Sequence, residues 1–138
     1  MGYIVDTNVL SELMKVKVDE NVKKWFQSID MDQICLTSVT IEEITYGLLA
    51  MPKSKRQTQL SKSFSILLGS ICVLDFGLVA AAHCAKLRFE RKTAGRPISY
   101  ADAQIAGVTR QHNMILVTRN IKDFTGINIQ LLNPFETN

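Results

Sequence analysis

Tyr3-Ile4-Val5-Asp6-Thr7-Asn8-Val9-Leu10 decides the fold. Three apolar or aromatic residues run straight into a carboxylate, and Thr and Asn follow at once. The pattern predicts a short buried strand that ends in an acid, with a helix starting just after it. In an open parallel α/β sheet, ligands bind in the crevice beyond the carboxyl ends of the strands. Asp6 is therefore expected at the mouth of such a crevice.

The same grammar repeats down the chain. Helices are expected over about 7–15 and from Asp19-Glu20 onward, the second with Val22, Trp25, Phe26 and Ile29 on one face. A short apolar strand follows at 34–37, then a helix over about 39–51 that stops before Pro52. The next helix carries Leu60, Phe64, Leu67 and Leu68 and ends at Gly69-Ser70. Residues 71–74 read as the third strand. The helix over 78–92 counts Val79, Ala82, Ala85, Leu87 and Phe89 among its apolar positions. The helix over 99–112 is rich in Ala101, Ala103, Ala106 and Gly107, which would let it lie close to a sheet. A fourth strand is expected at 114–117, a loop or short helix after it, and a fifth strand at 127–132. Strands alternating with helices predict βαβ units and an α/β fold with a mostly parallel sheet of four or five strands. No repeat or linker divides the 138 residues, so a single domain over 1–138 is expected.

Composition narrows the function classes. Hydrophobic residues make up 46% of the chain, enough for a core and too many for a disordered segment. No apolar run reaches the roughly 20 residues of a membrane span, and no signal peptide is expected. Cys35, Cys72 and Cys84 are odd in number, lack CxxC spacing and are expected in apolar surroundings. A disulfide or metal framework is disfavoured, and a reducing cytoplasmic setting is the simple reading. No Gly-rich phosphate loop is present, which disfavours NTP hydrolysis. Net charge is +3, but the bases cluster. Lys53, Lys55, Arg56 and Lys62 form one stretch; Lys86, Arg88, Arg91, Lys92 and Arg96 form another. They read either as solvated helix faces or as a rim for a polyanion.

The acids carry the chemistry. Asp6 alone could simply cap the following helix. Thr40-x-x-Glu43 and Ser99-x-x-Asp102 both match a capping box, in which the acid bonds back to the cap. Glu42 points away from the Ile44/Leu48/Met51 face, whereas Glu43 lies at its edge beside Gly47, so Glu43 is the preferred site acid. Asn120 and Asp123 follow the fourth strand as Asp6 follows the first. If those strands are neighbours, the two loops meet where strand order reverses. Acids at the ends of separate βα units gather on one edge, where they repel each other unless protons or cations intervene. Hard cations with oxygen ligands, Mg²⁺ or Mn²⁺, are the natural partners. Such ions support in-line phosphoryl displacement. His83 and His112 have no catalytic partner in any motif and read as structural.

Four segments resemble successive motifs of one family. They are Tyr3-Ile4-Val5-Asp6-Thr7-Asn8; Thr37-Ser38-Val39-Thr40-Ile41-Glu42-Glu43-Ile44-Thr45-Tyr46-Gly47; Ala101-Asp102-Ala103-Gln104-Ile105-Ala106; and Val117-Thr118-Arg119-Asn120-Ile121-Lys122-Asp123-Phe124. The chain resembles PIN-domain ribonucleases, above all the VapC and FitB toxins of bacterial toxin–antitoxin pairs. The resemblance implies a three-layer α/β/α sandwich. It implies a Mg²⁺- or Mn²⁺-dependent endoribonuclease acting on RNA, a homodimer, and silencing by a cognate antitoxin whose C-terminal segment occupies the acidic groove. Asp6, Glu43 and Asp102 match three family acids by position. A fourth acid often follows Thr-Arg in the family; here Asn120 stands there, and Asp123 is the candidate for the missing carboxylate, directly or through water. Thr7 and Asn8 look like residues that either support the ligating acids or position substrate, and Arg119 is a further candidate for positioning substrate. Two rivals stand beside this reading. One is a PIN-like RNA- or protein-binding module whose catalysis is weakened by Asn120. The other is a phosphatase with Asp6 as nucleophile, although Asn8 replaces the second acid that such chemistry usually uses. With Asp6, Glu43, Asp102 and Asp123 set aside, nine acids stand against 16 bases, a surface suited to a polyanion.

Overall fold

Side chains alternate in direction along each strand, and here both faces of the sheet are covered. Ile4, Cys35 and Leu116 point to one core; Val5, Ile34, Leu36 and Val117 point to the other. The computed structural model describes residues 2–136. In chain order the elements are β1 (Tyr3–Val5), α1 (Thr7–Leu13), α2 (Glu20–Ser28), β2 (Ile34–Thr37), α3 (Ser38–Ala50) and α4 (Lys55–Leu68). Then follow β3 (Cys72–Leu74), α5 (Leu78–Thr93), α6 (Tyr100–His112), β4 (Ile115–Val117) and β5 (Gln130–Leu132). Single 3₁₀ turns lie at Met31–Gln33 and Ile121–Phe124.

The five strands are parallel, in the order β3-β2-β1-β4-β5. Strand order reverses between β1 and β4, whose register pairs Val5 with Val117. The expected α/β/α sandwich with its parallel sheet is what the structure has. One core joins the sheet to α5 and α6 through Ala80, Cys84, Leu87, Ala103 and Ala106. The other joins it to α1, α2 and α4 through Val9, Leu10, Val22 and Phe64.

Several local expectations need correction. Helix α3 starts earlier than the Thr40 box implies. Thr37 is its N-cap, accepting from the Thr40 amide at 3.1 Å, so Glu43 sits in the second turn and has no capping duty. On α5 the buried positions are Ala80, Cys84, Leu87 and Arg91. Val79, Ala82, Ala85 and Phe89 are exposed, Phe89 by 72%. Leu87 is buried as expected, and the small Ala80 and Cys84, whose burial hydropathy underrates, share its face. The small-residue face of α6 meets α5 as well as the sheet: a Cβ on Gly107 would stand 2.6 Å from the Ala80 carbonyl oxygen. Cys72 is exposed on the edge strand β3, although Cys35 and Cys84 are buried. Arg91, which the sequence places in a solvated basic run, is only 7% exposed. Ile71 is buried just before β3, and β5 is shorter than expected because residues 127–129 form its approach.

Candidate active site

The β1 strand delivers Asp6 to the switch point and α1 fixes its carboxylate. Asp6 is the N-cap of α1 in extended conformation, and its Oδ1 accepts from the Thr7 amide at 2.8 Å. The capping role read from sequence is therefore real, but it uses one oxygen only. Oδ2 accepts from the Thr118 hydroxyl at 2.7 Å and from Asn8 Nδ2 at 3.1 Å. Asn8 Oδ1 in turn accepts from the Arg119 amide at 3.2 Å. Asn8 and Thr118 thus latch the end of β1 to the end of β4.

Thr118 and Thr40 are contributors that the sequence alone does not single out. Thr118 is fully buried, and its oxygen also accepts from the Asn120 amide at 3.1 Å. Thr40, buried at the start of α3, stands 3.0 Å from the Thr7 hydroxyl. The Thr7 hydroxyl donates to Glu43 Oε1 at 2.7 Å. A chain of hydroxyls therefore links α1 to α3 and aims Glu43 at the crevice. A hydroxyl directly after an apolar strand is the one signal in the sequence that could have exposed Thr118.

Asp102 comes from the first turn of α6, where Ser99 caps the helix and accepts from the Asp102 amide at 3.3 Å. Asp123 lies in the 3₁₀ turn after β4 and is exposed. Its amide donates to the Asn120 carbonyl at 3.0 Å. Asn120 is exposed and starts that turn. The Arg119 guanidinium sits 4.4 Å from the centroid of the Phe135 ring, a cation–π contact that holds it.

Four carboxylates act on one another across this crevice. Burial pushes the Asp6 carboxyl up to about 6; hydrogen bonds from Thr118 and Thr7 oppose the rise, and the charges of Asp102 and Glu43 add to it. Burial also raises Asp102, opposed by Ser99 and Arg91 and reinforced by Asp123 and Glu43. Among the described residues no three His, Cys, Asp or Glu side chains stand close enough together to hold an ion as they are. The donor chemistry nevertheless fits a hard divalent cation: the charged donors are all carboxylates, with no thiolate or imidazole, and the neighbouring charges oppose ionisation of Asp6 and of Asp102.

The remaining candidates fall elsewhere. His83 lines a polar cleft of about 410 Å³ with Arg110, Asn113 and Asn128 at the amino end of the sheet, away from the acids. His112 lies in the last turn of α6, where the helix dipole favours positive charge. A groove of about 440 Å³ runs from Thr7 and Glu43 between α1, α3 and α4.

Comparison with known proteins places the chain. The family model of the PIN domain matches residues 3–127. A VapC ribonuclease from Sinorhizobium fredii is 33% identical over 96% of this chain and 97% of its own. The toxin FitB of Neisseria gonorrhoeae is 30% identical, with the same shares covered. The solved structure of FitAB bound to a DNA fragment superposes with a TM-score of 0.86 at 28% identity, covering 99% of this chain and 97% of that one.

Proposed function

We propose, from the premise that this chain belongs to the PIN-domain family, that it is an endoribonuclease toxin held inactive by a cognate antitoxin. It hydrolyses RNA phosphodiester bonds with Mg²⁺, for which Mn²⁺ substitutes, in the cytoplasm and as a homodimer. The observation that carries the reading is the convergence of Asp6, Glu43, Asp102 and Asp123, from four separate elements, on one end of the parallel sheet beside its switch point.

Asp6, Asp102 and Asp123 would hold the cation, with the carbonyl oxygen of Asn120 as a neutral donor. The cation, when bound, offsets the charge that develops on the scissile phosphate and lowers the pKa of water. Asn8 and Thr118 keep Asp6 oriented through their hydrogen bonds to Oδ2. Glu43, aimed by Thr7, orients the attacking water and takes its proton. Arg119, held over Phe135, offers its guanidinium to a backbone phosphate. The phosphatase rival loses support here, because Asn8, at the place where that chemistry usually uses a second acid, donates to Asp6 Oδ2 instead.

The antitoxin reading has its own physical basis. The groove beside Glu43 has apolar walls from Met14, Leu48, Met51 and Leu60, with Lys15 and Arg56 also lining it. An extended or helical segment with an apolar face fits such walls and would block the acids as it lies there. Among the described residues, no helix is long and apolar enough to cross a membrane.

Sequencing of RNA ends after brief expression tests the reading. Wild type should create new ends that Asp6→Asn does not, and co-expressed antitoxin should suppress them. RNA that is bound without cleavage under either metal would instead support the binding-module rival.

A further inference from the structure

Arg91 is the one basic side chain buried among the described residues. A buried charge is costly unless its donors are satisfied. Among the described residues no carboxylate pairs with it; the only ion pair there joins Lys15 to Glu12. Its donors go to backbone carbonyls instead. Nε donates to the Arg96 carbonyl at 2.7 Å. Nη1 donates to the carbonyls of Asp123 at 2.9 Å and Thr125 at 3.2 Å. Arg96 closes the same clasp from outside, its Nη2 donating to the Thr125 hydroxyl at 2.7 Å.

The three segments so joined are not neighbours in sequence. One is α5, one is the loop that leads to the Ser99 cap and Asp102, and one is the turn that carries Asp123. We infer that Arg91 is a positioning residue that sets where Asp123 stands relative to Asp102. The inference deepens the metal-site reading above and rests on it for its functional consequence. The geometry explains why arginine is needed. A planar fork with several fixed donors spans three carbonyls, whereas the single ammonium of lysine satisfies fewer at once.

The test uses the full chain with Arg91→Lys, which keeps charge and stem, and Arg91→Met, which keeps the stem alone. Each is also made with Asp123→Asn. Amide exchange in metal-free protein should accelerate over residues 121–126 in both single variants, and more in Arg91→Met, while β1 and β4 stay protected. Mn²⁺ affinity, measured by titration calorimetry, should fall about tenfold or more, the usual cost of losing a residue that supports a metal ligand. With Asp123→Asn already present, Arg91→Met should cost little further affinity. Unchanged exchange over 121–126 in both variants would overturn the inference. So would an equal affinity loss with and without the Asp123 carboxylate. If wild type binds no Mn²⁺, the metal reading falls, and the exchange result alone then decides the role of Arg91.

Discussion

Asp6 combines two duties that pull against each other. Only 3% exposed, it caps α1, yet its charge is wanted for the crevice. Its folded pKa of about 6 lies above the ordinary value of 3.8. The folded state therefore binds more protons than the unfolded state between those values, and the stability tied to Asp6 is full below about pH 4 and lost as pH rises through 6. The cost at neutral pH is on the order of 1–3 kcal/mol. Asp6→Asn should therefore raise the Tm of metal-free protein at pH 7.5 relative to wild type, with the gain shrinking toward pH 4, as thermal unfolding in EDTA will read. Mg²⁺ should raise the Tm of wild type and not of the variant. Thr118→Val removes a hydrogen bond to a charged oxygen, a kind worth about 1.5–3 kcal/mol. The Asp6 carboxyl should then titrate still higher in a carboxyl NMR titration; an unchanged midpoint would show that Thr118 does not tune it. Asp6, Asp102 and Asp123 were legible in the sequence because each stands at a strand end, a helix start or the turn after a strand, and Glu43 because it lies at the edge of an apolar helix face. The threonines were not, because their partners exist only once β1 pairs with β4 and α1 meets α3.

Elements follow the sequence where hydrophobic period and caps agree. Asp19 and Ser99 cap α2 and α6 as their residue types predict. On α5 only Leu87 of the expected apolar positions is buried: Val79, Ala82, Ala85 and Phe89 are exposed, and the buried stripe is Ala80, Cys84, Leu87 and Arg91. Helix-to-helix distance selects small residues there, and a single sequence does not reveal that distance. Gly107 is its sharpest expression. Gly107→Ala should push α5 from α6 and cost about 1–3 kcal/mol in urea unfolding. Gly47 is also mid-helix, but a Cβ added there would meet nothing within 4 Å, so Gly47→Ala should stabilise by about 0.5–1 kcal/mol. Equal effects of the two substitutions would contradict the tight α5–α6 crossing.

At the scale of the molecule, topology does the gathering. Residues 6, 43, 102 and 123 are far apart in sequence, and the β3-β2-β1-β4-β5 order brings their elements to one end of the sheet. That convergence was inferable from acids that recur in successive βα units; the Arg91 clasp that joins two of the loops was not, because a lone arginine in a basic run reads as solvated. With the four crevice acids set aside, 16 bases stand against nine acids, so RNA affinity should fall steeply as salt rises from about 50 to 200 mM, as filter binding with Asp6→Asn will measure. Everything proposed for the crevice turns on whether its acids and a divalent cation together cut RNA. Purified wild type and Asp6→Asn should be incubated with RNA in Mg²⁺, in Mn²⁺ and in EDTA. Wild type should cleave with either metal and not in EDTA, and the variant should not cleave at all. Cleavage that persists in EDTA or in Asp6→Asn would contradict a metal-dependent site built on Asp6.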